Sequence, residues 1–223
     1  IIKRLMDHQE KLHFALGRGR KRASIGVHDL AKISPPFRVE AVDRDYSFIP
    51  LAMEHEMTID EILEKHPKGV DYAHLLQGME KVPIILDSND SVLSFPPIIN
   101  GEHTTVTTTT RDILIDVTGL DIRACESSLM LICLQLSILG GQIESVRVNG
   151  CDGKDWNING MPVEHKVQRD LVEGILGNSF TDDQIETAIF RMGGVYNGDT
   201  NGTLSISMPR WRFDILHPID LVE

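Results

Sequence analysis

The stretch Ile113-Leu114-Ile115-Asp116-Val117-Thr118-Gly119, followed by the apolar run Ile122 to Leu139 and then Ile143 to Val148, constrains this fold more than any other segment. Aliphatic and β-branched residues at 113–117 predict a strand, 122–139 predicts a helix, and Gly140-Gly141 supplies its C-cap and a turn into a second strand. A crossover longer than a dozen residues predicts parallel strands in one sheet, with the helix covering a face by a right-handed connection. Met130, Leu131, Cys133, Leu134, Leu136 and Ile138 make that helix apolar almost all round, which predicts burial on several sides. Along the first strand Ile113, Ile115 and Val117 face one way and Leu114, Asp116 and Thr118 the other. A carboxylate and a hydroxyl then emerge on one face about 7 Å apart. A carboxylate at a strand end also commonly holds a turn or caps the next helix, and Asp121 is placed to take that cap, so both readings of Asp116 stand open.

The 223 residues leave room for two modest domains, and a hydrophobic content of 41% suffices for ordinary cores. A net charge of -11 argues against a surface that grips nucleic acid everywhere, although it permits a local basic face. Residues 1–22 carry seven Lys or Arg against two Asp or Glu, with Arg18, Arg20, Lys21 and Arg22 clustered. Cys125, Cys133 and Cys151 lack metal or redox spacing and fit buried thiols in a reducing compartment. The richest apolar run, Leu129 to Leu139, is about half a membrane span, so no membrane partner is predicted. The chain shows no signal-peptide pattern, opens on Ile1, and reads as a piece of a longer polypeptide.

Residues 1–16 predict an amphipathic helix ended by Gly17-Arg18-Gly19, and Ser24 to Val27 a short strand. Val39 to Asp43 is predicted to pair with Ser47 to Leu51, and Thr58 with Glu61 forms a capping box for a helix to Lys65. Pro83 to Asp87 and Val92 to Ser94 read as a hairpin, and the β-branched run Thr104 to Thr110 as a strand. The polar link Gly150 to Gly160 marks the domain boundary. Beyond it, Val167 to Leu176 and the segment after the Thr181/Gln184 capping box predict two helices, and Val195 to Met208 a hairpin.

Several familiar chemistries are absent. Gly17 to Arg22 lacks the Gly-Lys-Ser/Thr ending of a phosphate loop and reads as a solvent-facing basic terminus, with nucleic-acid contact as its competitor. His28-Asp29 and His55-Glu56 have no metal-site spacing and read as surface or turn residues. Ser127-Ser128 lies near a helix start rather than on a nucleophile elbow.

Four separated segments, Ala23 to Asp29, Leu93 to Glu102, Ile115 to Gly119 and Arg212 to Leu221, resemble the β subunit of phenylalanyl-tRNA synthetase in its archaeal and eukaryotic form. The likeness runs over essentially the whole chain. It implies an α+β protein: a mixed-sheet B3/B4-like editing module over residues 1–152, then a small B5-like helix pair with a hairpin over 153–223. It also implies a cytoplasmic protein that hydrolyses the ester of tRNA(Phe) mischarged with tyrosine. The complete synthetase would use ATP and Mg2+ and pair with an α subunit as an α2β2 heterotetramer, whereas this segment would need no cofactor or metal. A tRNA-positioning segment without autonomous editing is the alternative.

By that resemblance the editing cleft falls on Leu86, Ser94, Asp116 and Thr118, with Pro96, Asn100, Glu102 and Gly119 at its entrance. Asp116 or Ser94 would meet the tyrosine phenol, Thr118 would hold the aminoacyl end, and Leu86 would pack on the ring. Arg18, Arg20, Lys21 and Arg22 would lie along the tRNA backbone. The attacking group would be water, since no side chain stands out as a nucleophile with its own base. Arg210-Trp211-Arg212 with Asp214 reads as a hinge toward a missing module, or as a simple Arg–Asp pair.

Overall fold

Strand β1 (Ala23–Asp29) pairs antiparallel with β8 (Ile113–Gly119), in a register that sets Gly26 opposite Asp116 and Ser24 opposite Thr118. The computed structural model describes residues 1–150 and 160–223, and these divide into two units, Ile1–Leu139 and Gly140–Glu223. The predicted boundary at 152/153 and Cys151 lie outside the described residues.

The first unit is layered around that ladder. On one face, Ile25 and Val27 of β1 and Ile113, Ile115 and Val117 of β8 meet Leu5 and Leu12 of α1 (Ile2–Phe14) and Ile132 of α4 (Ile122–Ile138). This is the apolar face that period-two alternation predicts. Beyond the other face lies an antiparallel sheet of β2 (Arg38–Val42), β5 (Val82–Leu86), β6 (Val92–Phe95) and β7 (Ile99–Asn100), in that order. Its separate core is closed by α2 (Ile59–Lys65), with Ile59 and Ile62 fully buried. The helix α3 (Pro67–Tyr72) follows, its proline at the first turn where the missing N–H costs nothing. The capping box of α2 is formed as expected, Thr58 accepting from Glu61 N and Glu61 from Thr58 N.

Four expectations fail for definable reasons. No strand forms over 143–148, and β8 finds its partner in β1, so the ladder is antiparallel and the α4 crossover closes no parallel pair. α4 buries one face only, through Ala124, Cys125, Ser127, Ser128 and Ile132, while Leu134 and Ile138 are exposed. The 39–43 segment pairs with β5 rather than with its sequence neighbour, and Ser47–Phe48 (β3) pairs with Met57–Thr58 (β4). The threonine run folds into a 3-10 turn and a loop because its hydroxyls bond nearby backbone: Thr105 donates to Glu102 O at 2.6 Å, and Thr107 N donates to Thr110 Oγ1 at 2.9 Å.

In the second unit the 163–168 segment is strand β9 (Val163–Gln168), and helix α5 starts only at Arg169 (Arg169–Leu176). The helix α6 (Asp182–Arg191) and strands β10 (Val195–Thr200) and β11 (Thr203–Met208) complete a three-stranded antiparallel sheet in the order β10-β11-β9, one strand more than the predicted hairpin. Ile185 and Ile189 of α6 and Leu204, Ile206 and Met208 of β11 form its core. Arg212 pairs with Asp214 at 2.6 Å and also donates to Met192 O. Among the described residues no helix is long and apolar enough to cross a membrane.

One polar clip joins the α1–β1 turn to the sheet. Arg20, only 8% exposed, donates to Pro97 O at 3.1 Å and Ile98 O at 2.8 Å, stacks over Tyr72, and meets Glu10 at 3.2 Å. His13 beside it and the Arg20 guanidinium hold the Glu10 carboxyl down from the usual 4.5 to about 2. A depressed carboxyl stabilises the fold above its unfolded value and loses that contribution as the pH falls. Stability is therefore expected to decline between about pH 4.5 and 2, modestly because Glu10 is half exposed, and Glu10→Gln is expected to flatten that decline. Urea unfolding midpoints measured stepwise across this window check it.

Candidate functional site

Residues directly opposite in an antiparallel ladder share a face, so Ser24, Gly26 and His28 of β1 stand on the same side as Thr118, Asp116 and Leu114 of β8. That side carries nearly all the polarity of the ladder and is turned toward the sheet, where Leu114 packs with Ile33, Phe37, Ile85 and Leu93. His28 is fully buried and its Nε2 lies 2.6 Å from Asp116 Oδ1, while Asp116 itself is 16% exposed. The second ring nitrogen, Nδ1, lies 2.9 Å from Thr104 Oγ1, which also reaches Gly101 O at 3.0 Å. An ionised carboxylate only accepts, so Nε2 carries the proton toward it. The Thr104 hydroxyl serves either form of the ring: it donates to a bare Nδ1, or accepts from Nδ1–H and donates to Gly101 O.

Gly26 makes room for this pair. A Cβ at that position would stand 1.8 Å from Asp116 Oδ1 and 2.7 Å from His28 Nε2. Glycine is needed here for close approach, since the carboxylate occupies the volume a side chain would fill. Gly119 answers a similar constraint at the strand end, where a Cβ would lie 2.0 Å from Arg22 O.

Asp116 and Thr118 therefore do emerge on one face, Thr118 half-buried opposite the buried Ser24. Asp116 is no helix cap, because Asp121 takes that part by accepting from Arg123 N and Ala124 N. Ser94, 4% exposed, pairs with Ile85 and Asn100 and shares their face of the sheet, the face whose Ile85 meets Leu114 and whose Asn100 reaches Val27 O at 3.5 Å. Leu86 departs from expectation. Alternation turns it with Ile84 into the opposite core beside Val92, 2% exposed, and the strand residue facing the ladder is Ile85.

The entrance residues have structural bonds of their own. Pro96 is buried, and the Pro96–Pro97 peptide is cis. Glu102 accepts from Ala52 N at 2.5 Å, tying the 50–52 turn to the loop after β7. Of the basic cluster, Arg20 is spent inside the fold and Arg22 faces Asp121 at 3.8 Å, which leaves Arg18 and Lys21 as its exposed members.

Sequence reading missed two participants. His28, read as a surface or turn residue, is fully buried, as is Thr104. The signal lay in the alternation of Ser24, Gly26 and His28, which mirrors Leu114, Asp116 and Thr118, but only the pairing of the two strands makes it readable. Among the described residues no group of three or more His, Cys, Asp or Glu is arranged to hold a metal ion.

The B3/4 domain family model matches residues 1–131, and the tRNA synthetase B5 domain model matches residues 165–223. The phenylalanine–tRNA ligase beta subunits of Methanococcoides burtonii and Methanosarcina barkeri are 48% and 46% identical over the full chain, which covers 41% of each. The crystal structure of an N-terminal fragment of the phenylalanyl-tRNA synthetase beta subunit from Pyrococcus horikoshii superposes with a TM-score of 0.89 at 35% identity, over 99% of this chain and 64% of that one. The chain thus spans about two fifths of the length of these curated relatives.

Gly26→Ala is expected to drive the Asp116 carboxylate off His28, strand a buried Nε2–H, and lower the unfolding free energy by ~1–3 kcal/mol. In an Asp116→Ala background the same substitution is expected to cost much less, and a double-mutant cycle from urea unfolding measures the difference.

Proposed function

The chain belongs to the phenylalanine–tRNA ligase beta subunit family, and on that premise we propose that its first unit is a second sieve that hydrolyses tyrosine from mischarged tRNA(Phe). The observation that carries this reading is the polar face of the β1–β8 ladder: a partly exposed carboxylate at Asp116, seated over Gly26, and the Thr118 and Ser24 hydroxyls on the same side.

An activation pocket shaped for phenylalanine rejects an added hydroxyl by only about a hundredfold, whereas a site that must hydrogen-bond that hydroxyl rejects its absence by ~10⁴ or more. Asp116 suits the second kind of site. Its Oδ1 is taken by His28, and Oδ2 has no hydrogen bond from the described residues, so it can accept from a phenol O–H. Phenylalanine would leave that acceptor desolvated and unpaired, at a cost of about 1–3 kcal/mol or more for a charged group. Ser94, on the facing sheet, and Thr118 would orient the aminoacyl end. Water would then attack the ester carbonyl, the C–O bond to the ribose would break, and tyrosine and uncharged tRNA would leave. Orientation and polarisation of the carbonyl would supply the acceleration.

The same proposal places the full-length protein in the cytoplasm beside an α subunit, with ATP and Mg2+ serving aminoacylation outside this segment. Arg18 and Lys21 would meet the tRNA backbone.

Asp116→Ala is expected to lower kcat/KM for deacylation of Tyr-tRNA(Phe) by about 10- to 100-fold and to erase the preference over Phe-tRNA(Phe). A full preference retained by both Asp116→Ala and Thr118→Val would end the assignment. Reversing Arg18 and Lys21 to Glu is expected to weaken tRNA binding and make the slope of log K against log salt shallower by about 1–2, as read from filter binding across a salt series.

A further inference from the structure

We propose that His28 is a positioning residue for discrimination, fixing Asp116 Oδ1 through its Nε2–H so that Oδ2 alone is offered to the phenol hydroxyl; this rests on the editing reading above. His28 is fully buried and cannot touch a substrate, yet it lies 2.6 Å from the residue that would. The partly exposed carboxylate thereby has one oxygen held by His28 and a second with no hydrogen bond from the described residues.

One further contact fixes the imidazole itself, and a second fixes that partner. Thr104 Oγ1 anchors Nδ1 at 2.9 Å, and the same hydroxyl reaches Gly101 O at 3.0 Å. Gly101 N in turn donates to Leu93 O at 2.9 Å, immediately before Ser94. The thread from Asp116 through His28, Thr104 and Gly101 thus ends on the strand that carries Ser94. It ties together the two sheets on which the proposed recognition groups sit.

A pair retained for stability alone is a poor explanation, because a buried polar pair contributes little net stability relative to well-packed apolar side chains of similar volume. What it does supply is a fixed direction for one lone-pair oxygen. Gly26 serves the same end, since any side chain there would occupy the place of Oδ1.

The test uses the full-length protein with its partner subunit, with thermal melting to confirm folding, and compares deacylation of Tyr-tRNA(Phe) and Phe-tRNA(Phe). His28→Leu is expected to lower kcat/KM for the tyrosyl ester about 10- to 100-fold and leave the slow phenylalanyl reaction within about twofold. His28→Gln, whose amide nitrogen can take the place of Nε2, is expected to recover most of the loss. Thr104→Val, which keeps the ring and removes its anchor, is expected to lose about 3- to 10-fold of the preference. If His28→Leu does not fold, His28→Gln and Thr104→Val carry the same comparison. A folded His28→Leu or Thr104→Val with an unchanged preference would overturn the proposal, as would equal losses for both esters. A parent protein with no preference for the tyrosyl ester would overturn the editing reading itself, a different result from an intact preference that ignores His28.

Discussion

Everything in the first unit depends on the register of β1 against β8. A slip of one residue would turn Asp116 and Thr118 into the helices and bring Ile115 and Val117 out, because side chains alternate strictly along a strand. Two features pin the register. The apolar set Ile25, Val27, Ile113, Ile115 and Val117 satisfies α1 and α4 in one alignment, and Gly26 admits the Asp116 carboxylate only from directly opposite. The same constraint that buries the core therefore composes the polar face, and stability and chemistry are read from one ladder.

The two layers on either side of that polar face are joined by few and specific contacts. Leu114 supplies the apolar share, with Ile33, Phe37, Ile85 and Leu93. Polar ties add to it, among them Asn100 to Val27 O, Arg20 to Pro97 O and Ile98 O, and the His28–Thr104 bond. Arg20 suits its place because a planar guanidinium reaches two carbonyls while its face lies on Tyr72, a geometry an ammonium does not reproduce. An interface held by directional bonds keeps a defined separation between the groups on its two sides.

What was legible in the sequence was local. Alternation at 113–118, the capping boxes at Thr58 and Thr181, and the amphipathic run of α1 all read correctly because each depends on neighbours a few residues away. What failed was long-range. The partner of β8 is β1, some ninety positions earlier, and β2 skips its neighbours to pair with β5. The threonine run misled because a β-branched side chain that favours strands also carries a hydroxyl that bonds local backbone, and in the loop after β7 the hydroxyl prevails. Of the residues that the family likeness singled out, Asp116 and Thr118 do share one face of the ladder, and Ser94 lies on the sheet face toward it. Leu86 shows the limit of that transfer, since a one-residue uncertainty on a strand moves a side chain to the other face.

Placing β1 and β8 at opposite ends of the first unit has a consequence for how the protein is made. β1 leaves the ribosome long before β8, and its seven residues, all buried once folded, then have no strand to pair with. Residues 30–112 contain the four-stranded sheet and the residues of its core, and assembly of that sheet in the interval would shorten the loop that must close. The polar face of the ladder is thus completed only once β8 has been synthesised, and a chain interrupted before Ile113 would display an unprotected edge open to pairing with other chains.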